Sequence, residues 1–333
     1  MNQQRKHVAV VGATGAVGQN FLQVLERRGF PLRSLKLLAS ARSAGKTMRF
    51  AGEDLVVEPL TESSLRGVEI ALFSAGGAVA REWAPRAVSA GAVVVDNSSA
   101  FRMVEGVPLI VPEINAADLA SHRGIVANPN CSTIILCLAL GPLHRTVGVK
   151  RVVVSTYQAA SGAGQRAMEE LRAGSAAHLA GREPVVDVLP HSLAFNLFPQ
   201  VDVFLPEGYT KEEDKMLFET RKILSAPRME VEATCVRVPV ERSHSESVAV
   251  ELGAPLTPDA ARALFRQSPG LVVEDIPEDR VYPMPKTRSG KDEVAVGRIR
   301  KSRVFTPGLA FWLSGDQLLK GAALNAVQIA ELL

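Results

Sequence analysis

The sequence predicts an α/β protein in two parts: a parallel sheet wrapped by helices, then an α+β domain. Three observations predict it. Up to about residue 130, short apolar runs rich in β-branched residues alternate with helical patterns, as buried parallel strands do. Beyond that point longer, alternating strands take over. The length, 333 residues, exceeds that of a typical single domain.

The first strand is expected over residues 8–11 and runs into Gly12-Ala13-Thr14-Gly15-Ala16-Val17-Gly18. A helix follows, with Phe21, Leu22, Val24 and Leu25 on one face, and Arg27-Arg28-Gly29 ends it. Glycines at this G-x-x-G-x-x-G spacing allow a tight turn. They also let backbone N–H groups approach a pyrophosphate at the helix start. A strand–turn–helix context strengthens the motif, so the first part reads as a Rossmann-type dinucleotide-binding domain. Gly12, Thr14, Gly15, Ala16 and Val17 are its candidate contacts.

The second strand, 35–39, ends in a loop that carries Ser40, Arg42 and Ser43. An acidic residue usually holds a free ribose 2′-hydroxyl at this place. A guanidinium with two hydroxyls suits a 2′-phosphate instead, which favours NADP over NAD. A solvated role for Arg42 stays open. Strands at 69–73 and 92–96 continue the alternation, and their ends should share the sheet edge where ligands sit.

Asn128-Pro129-Asn130-Cys131 follows, at the mouth of the apolar run 134–140. The residue before proline is pushed out of the α region, so Asn130 can cap a helix whose first turn holds Cys131. Unpaired N–H groups and the helix dipole there favour a thiolate, the form that attacks carbonyl carbon. A small buried cysteine is the other reading of the same residues.

In the second part, residues 151–158 read as a long strand ending in Gln158. The flexible loop 159–164 opens a helix over 165–172. Residues 173–210 lack periodicity and read as a lid or interface excursion. Thr210 and Glu213 form a capping box for a helix through Ile223. An alternating strand over 231–240 puts Arg237 on one face with Cys235. His244 falls in the turn 242–245, and a further strand covers 247–252. The helix 321–330 closes the chain and should return to the first domain. The domains are therefore 1–130, joined by the helical segment 316–333, and 131–315.

Composition excludes several classes. Hydrophobic residues make up 47% and charged residues 22% of the chain, ordinary values for a globular protein. A net charge of +3 is too small to argue for nucleic acid or a membrane surface. Cys131, Cys137 and Cys235 lack C-x-x-C spacing, which argues against a disulfide framework or a zinc site, so no metal is expected. Reduced thiols suggest the cytoplasm. The start has no signal-peptide apolar region, and no apolar run is long enough to span a membrane.

Six stretches in order, GATGAVG at 12–18, NPNCST at 128–133, STYQAASGAG at 155–164, GYTKEEDK at 208–215, CVRVPVERSHSE at 235–246 and GDQLLKGAALNAVQIAE at 315–331, carry a specific resemblance. Over essentially its whole length the chain resembles the aspartate-β-semialdehyde dehydrogenase family. The resemblance implies that Cys131 is an acyl-thioester nucleophile and His244 the acid/base. It implies that Gln158 orients the acyl intermediate, that Arg237 grips the substrate α-carboxylate and that Glu212 meets its α-ammonium. Arg102 and Lys215 match phosphate-binding positions, and Ser161, Gly162 and Gln317 match contacts to the nicotinamide end of the cofactor. It also implies NADPH-dependent reduction of β-aspartyl phosphate, in the pathway to lysine, threonine and methionine, by a homodimer. On the residues alone, Arg237 could pair across a sheet, Lys215 could be a solvated helix charge and His244 could close a turn. Two other functions stand beside the main one. A reductase of N-acetyl-glutamyl phosphate shares the chemistry but usually has a glycine before the cysteine and an aromatic after it, where this chain has Asn130 and Ser132. A non-catalytic nucleotide-binding paralogue would not need both Cys131 and His244.

Overall fold

A computed structural model describes residues 5–333. The chain divides into two compact units, one of residues up to Asn130 with Ala322–Leu333, the other Cys131–Gly321.

The first unit is built from β1 (Lys6–Val11), α1 (Ala16–Arg27), β2 (Leu32–Ala39), β3 (Thr47–Phe50), β4 (Glu53–Pro59), β5 (Ile70–Phe73), α2 (Gly77–Ser89), β6 (Val93–Asp96), α3 (Pro112–Asn115) and β7 (Ile125–Ala127). The strands form one sheet in the order β3-β4-β2-β1-β5-β6-β7, parallel except where β3 pairs with β4. The order reverses at β1, so ligand chemistry is expected at its carboxyl end. Val8 to Val11 are buried, as a central parallel strand requires. Phe21, Leu22, Val24 and Leu25 face the sheet from α1.

In the second unit, α4 (Cys131–Val147), β8 (Val149–Gln158), α5 (Gln165–Leu179), α6 (Lys211–Ile223), β9 (Glu230–Arg237), β10 (His244–Leu252), α7 (Pro258–Arg266), β11 (Leu271–Val273), α8 (Pro285–Arg288), β12 (Val294–Lys301) and β13 (Gly308–Gly315) follow in chain order. Its sheet is mixed, in the order β11-β12-β13-β10-β8-β9. Helices α4, α6 and α7 cover one face. Helix α4 lies in the middle of that layer and is buried from Ser132 through Leu143, which explains why its sequence is apolar all round. The opposite face carries Val153, Tyr157 and Trp312, the last two rings tilted by 44° with centroids 5.2 Å apart. A mixed Rossmann-type and α+β architecture is thus present as expected.

Four local expectations are corrected. Helix α5 runs to Leu179 rather than 172, because Ala167, Leu171 and Gly174 continue its buried stripe through small residues that mask the period. Strand β9 stops at Arg237 rather than 240, where Pro239 can donate no ladder hydrogen bond. His244 is not in a turn but opens β10, opposite Gly315. The C-terminal element is helical only from Leu319: a π-turn over Leu319–Ala323 leads into α9 (Leu324–Glu331), and 316–321 belong with the second unit. Within the first unit α9 packs on α1, and Arg28 forms a two-pronged ion pair with Glu331 at 2.6 and 2.7 Å. Among the described residues, no helix is long and apolar enough to cross a membrane.

Candidate active site

In the first unit, the loop after β1 is a cradle made by what its glycines lack. Gly12 has φ +86°, and a Cβ there would collide with the Ser74 carbonyl oxygen. A Cβ on Gly18 would lie 2.5 Å from the Ala13 oxygen, so this glycine lets α1 close on the loop. Gly15 meets only the Gly12 oxygen, at 3.3 Å, and caps α1 without any side-chain bond. The loop therefore fits a pyrophosphate, which needs bare N–H groups at a helix start. Thr14, Ala16 and Val17 lie on this turn. At the end of β2, Ser40 and Arg42 are exposed around a single 3-10 turn that includes Ser43. No carboxylate occurs in that turn. A groove of about 460 Å³ beside Thr14 is lined by Lys46 and Arg49. Arg102 is buried in this unit, donating to the Asn128 and Asn97 carbonyls at 2.9 and 3.0 Å.

In the second unit, one edge of the mixed sheet gathers the remaining candidates. Strands β8 and β9 run parallel and end together, with Gln158 opposite Arg237. Antiparallel β10 starts at that edge with His244, and β13 ends there at Gly315. Cys131 is the first residue of α4 and half-buried. It lies against Gly321, where a Cβ would come within 2.9 Å of its own.

Burial and hydrogen bonds lock the cluster. The Ala159 N–H donates to His244 Nδ1 at 3.0 Å, while Arg237 Nη1 donates to the Ala159 carbonyl at 2.7 Å. One backbone residue thus orients both side chains. Because Nδ1 accepts, a neutral His244 must carry its proton on Nε2. Burial, and then the Arg237 charge, push the imidazole well below its usual range, so it is neutral at neutral pH. Its Nε2 is buried without a partner. A methyl on exposed Gly162 would sit 3.3 Å from that nitrogen and 2.8 Å from Arg237 Nη1.

Burial lowers the Arg237 guanidinium, opposed first by Glu212 and then by Cys131 and Cys235. A cation that senses Cys131 in this way also favours the thiolate form of that sulfur. Gln158 Nε2 donates to Glu212 Oε1 at 3.2 Å and to Thr156 Oγ1 at 3.3 Å. Glu212 Oε2 in turn accepts from Lys215 Nζ at 3.0 Å. On the other flank, Gln317 Nε2 donates to Ser161 Oγ, and Gln317 Oε1 accepts from the Ser243 N–H at 2.8 Å. Cys137 and Cys235 are buried, and burial raises both thiols far above the usual range, so neither is a ready nucleophile.

Cys131, Gln158, Ser161, Gly162, Glu212, Lys215, Arg237, His244 and Gln317 therefore all lie in the second unit. Arg102 and the candidate nucleotide residues Gly12, Thr14, Gly15, Ala16, Val17, Ser40, Arg42 and Ser43 lie in the first. Sequence reasoning missed Thr156, Ala159 and Asp316. Thr156 was detectable, since it shares the Gln158 face of β8. Ala159 acts through its backbone, which no side-chain pattern records. Asp316 is fully buried and accepts from Arg242 Nε and the Gly290 N–H at 2.6 Å, and from the Leu318 N–H at 3.0 Å. It ties the segment before His244 to the one that carries Gln317.

The family model described as semialdehyde dehydrogenase, NAD binding domain, matches residues 7–122. The one described as semialdehyde dehydrogenase, dimerisation domain, matches 140–320. The aspartate-semialdehyde dehydrogenase of Aquifex aeolicus is 53% identical over 98% of this chain and 97% of its own length. That of Bacillus subtilis is 50% identical over 98% and 96%. The crystal structure of aspartate semialdehyde dehydrogenase II complexed with ASA from Vibrio cholerae superposes with a TM-score of 0.96 at 45% identity, covering 99% of this chain and 98% of that one. With both family models and these full-length relatives in agreement, the chain belongs to the aspartate-semialdehyde dehydrogenase family.

Proposed function

We propose that this chain catalyses the reversible, NADPH-dependent reductive dephosphorylation of β-aspartyl phosphate to aspartate semialdehyde through a thioester on Cys131. The observation that carries the reading is the convergence of Cys131, Arg237 and a neutral His244 whose Nδ1 is held by the Ala159 N–H. Thiolate Cys131 attacks the acyl carbon, and phosphate leaves with the C–O electron pair. Arg237 binds the α-carboxylate through its planar fork, and Glu212 meets the α-ammonium. Gln158, anchored by Glu212 and Thr156, orients the acyl group. Lys215 and Arg102 bind the phosphate. When bound, the nicotinamide supplies the hydride that brings the acyl carbon to the aldehyde level. His244 Nε2–H donates to the carbonyl oxygen as negative charge develops there. Such a donor contributes roughly 2.7–4 kcal/mol in comparable acyl-transfer sites. Collapse of the thiohemiacetal returns the electron pair to the Cys131 sulfur and releases the aldehyde.

NADP is preferred over NAD in this reading because Arg42 stands where an acid would hold a free 2′-hydroxyl, and Lys46 adds a second cation nearby. Ser40 and Ser43 complete that end. Ser161, Gly162 and Gln317 hold the nicotinamide end. The dimerisation-domain match and the open sheet face around Tyr157 and Trp312 support a homodimer. Three free cysteines suit a reducing, cytoplasmic compartment. The deciding assay is phosphate-dependent reduction of NADP with aspartate semialdehyde, run beside NAD and beside N-acetyl-glutamate semialdehyde. Turnover that needs no phosphate, or that prefers the acetylated aldehyde, would overturn the reading.

A further inference from the structure

Lys215 Nζ lies 2.8 Å from Asp202 Oδ2 and 3.0 Å from Glu212 Oε2. One ammonium held by two carboxylates is net negative, the wrong sign for receiving an anion. Burial pulls the Lys215 ammonium down, but Glu212 and then Asp202 outweigh it. Burial likewise pushes Asp202 up, and Lys215 outweighs that. Both partners are therefore charged at neutral pH.

The two carboxylates are not equivalent. Glu212 is buried and also accepts from Gln158, so moving it would strand a charge in the interior. The Asp202 side chain is 35% exposed and lies on the irregular segment before α6. Water can hydrate its carboxylate as soon as it lets go, and ion pairs this exposed are weak. Its second oxygen accepts from the Val203 N–H at 2.9 Å, which aims the group from the loop side.

We propose that Asp202 is an internal competitor for phosphate: its carboxylate occupies Lys215 until an incoming phosphoryl group displaces it. Asp202 thereby sets the affinity for phosphate and favours a dianion over singly charged anions, which gain too little to make the exchange. This rests on Lys215 binding phosphate, as proposed above.

The test is the KM for inorganic phosphate in the oxidative direction, at constant ionic strength. Asp202 has φ +68°, a conformation that asparagine and glycine both accept, so Asp202→Asn and Asp202→Gly keep the backbone. Both should lower the phosphate KM by about two- to fivefold, the size expected for one partly exposed ion pair. Both should leave the KM for NADP unchanged. A raised or unchanged phosphate KM in both variants, beside a raised one in Lys215→Ala, would show that Asp202 orients Lys215 or is idle, and would overturn the inference. If Lys215→Ala itself left the phosphate KM unchanged, the phosphate assignment would be what failed, and the inference would fall with it.

Discussion

The glycine loop of the first unit and the strand-edge cluster of the second are built by opposite means. The loop is a local device: seven consecutive residues make the turn that opens α1, and its glycines matter for the atoms they lack. The cluster draws Cys131, Gln158, Glu212, Arg237 and His244 from α4, β8, α6, β9 and β10, and its chemistry resides in side chains locked by partners. A backbone site breaks when atoms are added. A side-chain site breaks when one is removed or its partner moves.

The largest expected effect is on the side-chain site. Cys131→Ala should lower turnover by roughly 10⁴-fold or more, as loss of a covalent nucleophile does. Titration with NADPH should still show near-normal binding. Appreciable turnover in this variant would end the thioester mechanism.

The comparison sharpens with two matched alanines. In Gly12→Ala the new methyl meets the Ser74 backbone carbonyl at a positive φ, and neither can yield cheaply. Loss of NADPH binding and a lower melting temperature are expected. In Gly162→Ala the methyl meets Arg237 Nη1 at 2.8 Å and His244 Cε1 at 3.2 Å, both ends of side chains. That variant should fold normally but lose about 10²-fold in kcat, the cost of misplacing catalytic groups by an ångström or so. Equal losses of stability in the two would erase the distinction.

Next in size is Arg42→Asp. Removing a charge-assisted contact and adding repulsion should weaken NADPH by about 10- to 100-fold while sparing NADH. Parallel losses for both cofactors would remove Arg42 from the 2′-phosphate.

The smallest effect concerns a residue that the mechanism leaves unused. Glu246 shares the buried face of β10 with His244, is fully buried, and has neither carboxylate oxygen hydrogen-bonded. Burial raises its pKa well above 4.5. The folded protein then holds a proton that the unfolded chain releases, so this group's contribution to stability falls as pH rises above 4.5. Glu246→Gln cannot ionise. Its stability relative to the parent should therefore grow as pH rises above 4.5, at a slope approaching about 1.4 kcal/mol per pH unit. Urea melts at several pH values would show it, and a difference that does not change with pH would mean that Glu246 ionises normally in place.

Much of the architecture was legible because it is written locally. GATGAVG predicted its own turn, the 3.6-residue stripe of α1 predicted its buried face, and Thr210 with Glu213 predicted a capping box that the structure contains. The misplaced boundaries have local causes as well. Small residues blurred the end of α5, and the turn residues around Ser243 hid the start of β10. The residue types that form the strand-edge cluster could be nominated from the sequence and its family resemblance, but their partners could not.

By itself, then, the sequence determined the two-part fold class and the glycine loop, since helix and strand periods and glycine conformations act over a few residues, while most candidate site residues were named through the family resemblance. Tertiary structure alone decided that Ala159 holds both His244 and Arg237, that His244 is neutral with its proton on Nε2, and that Lys215 already carries two carboxylates. Those are properties of burial and of contacts between residues far apart in the chain, and burial is what sets the charge of a buried imidazole or the partner of a half-buried ammonium.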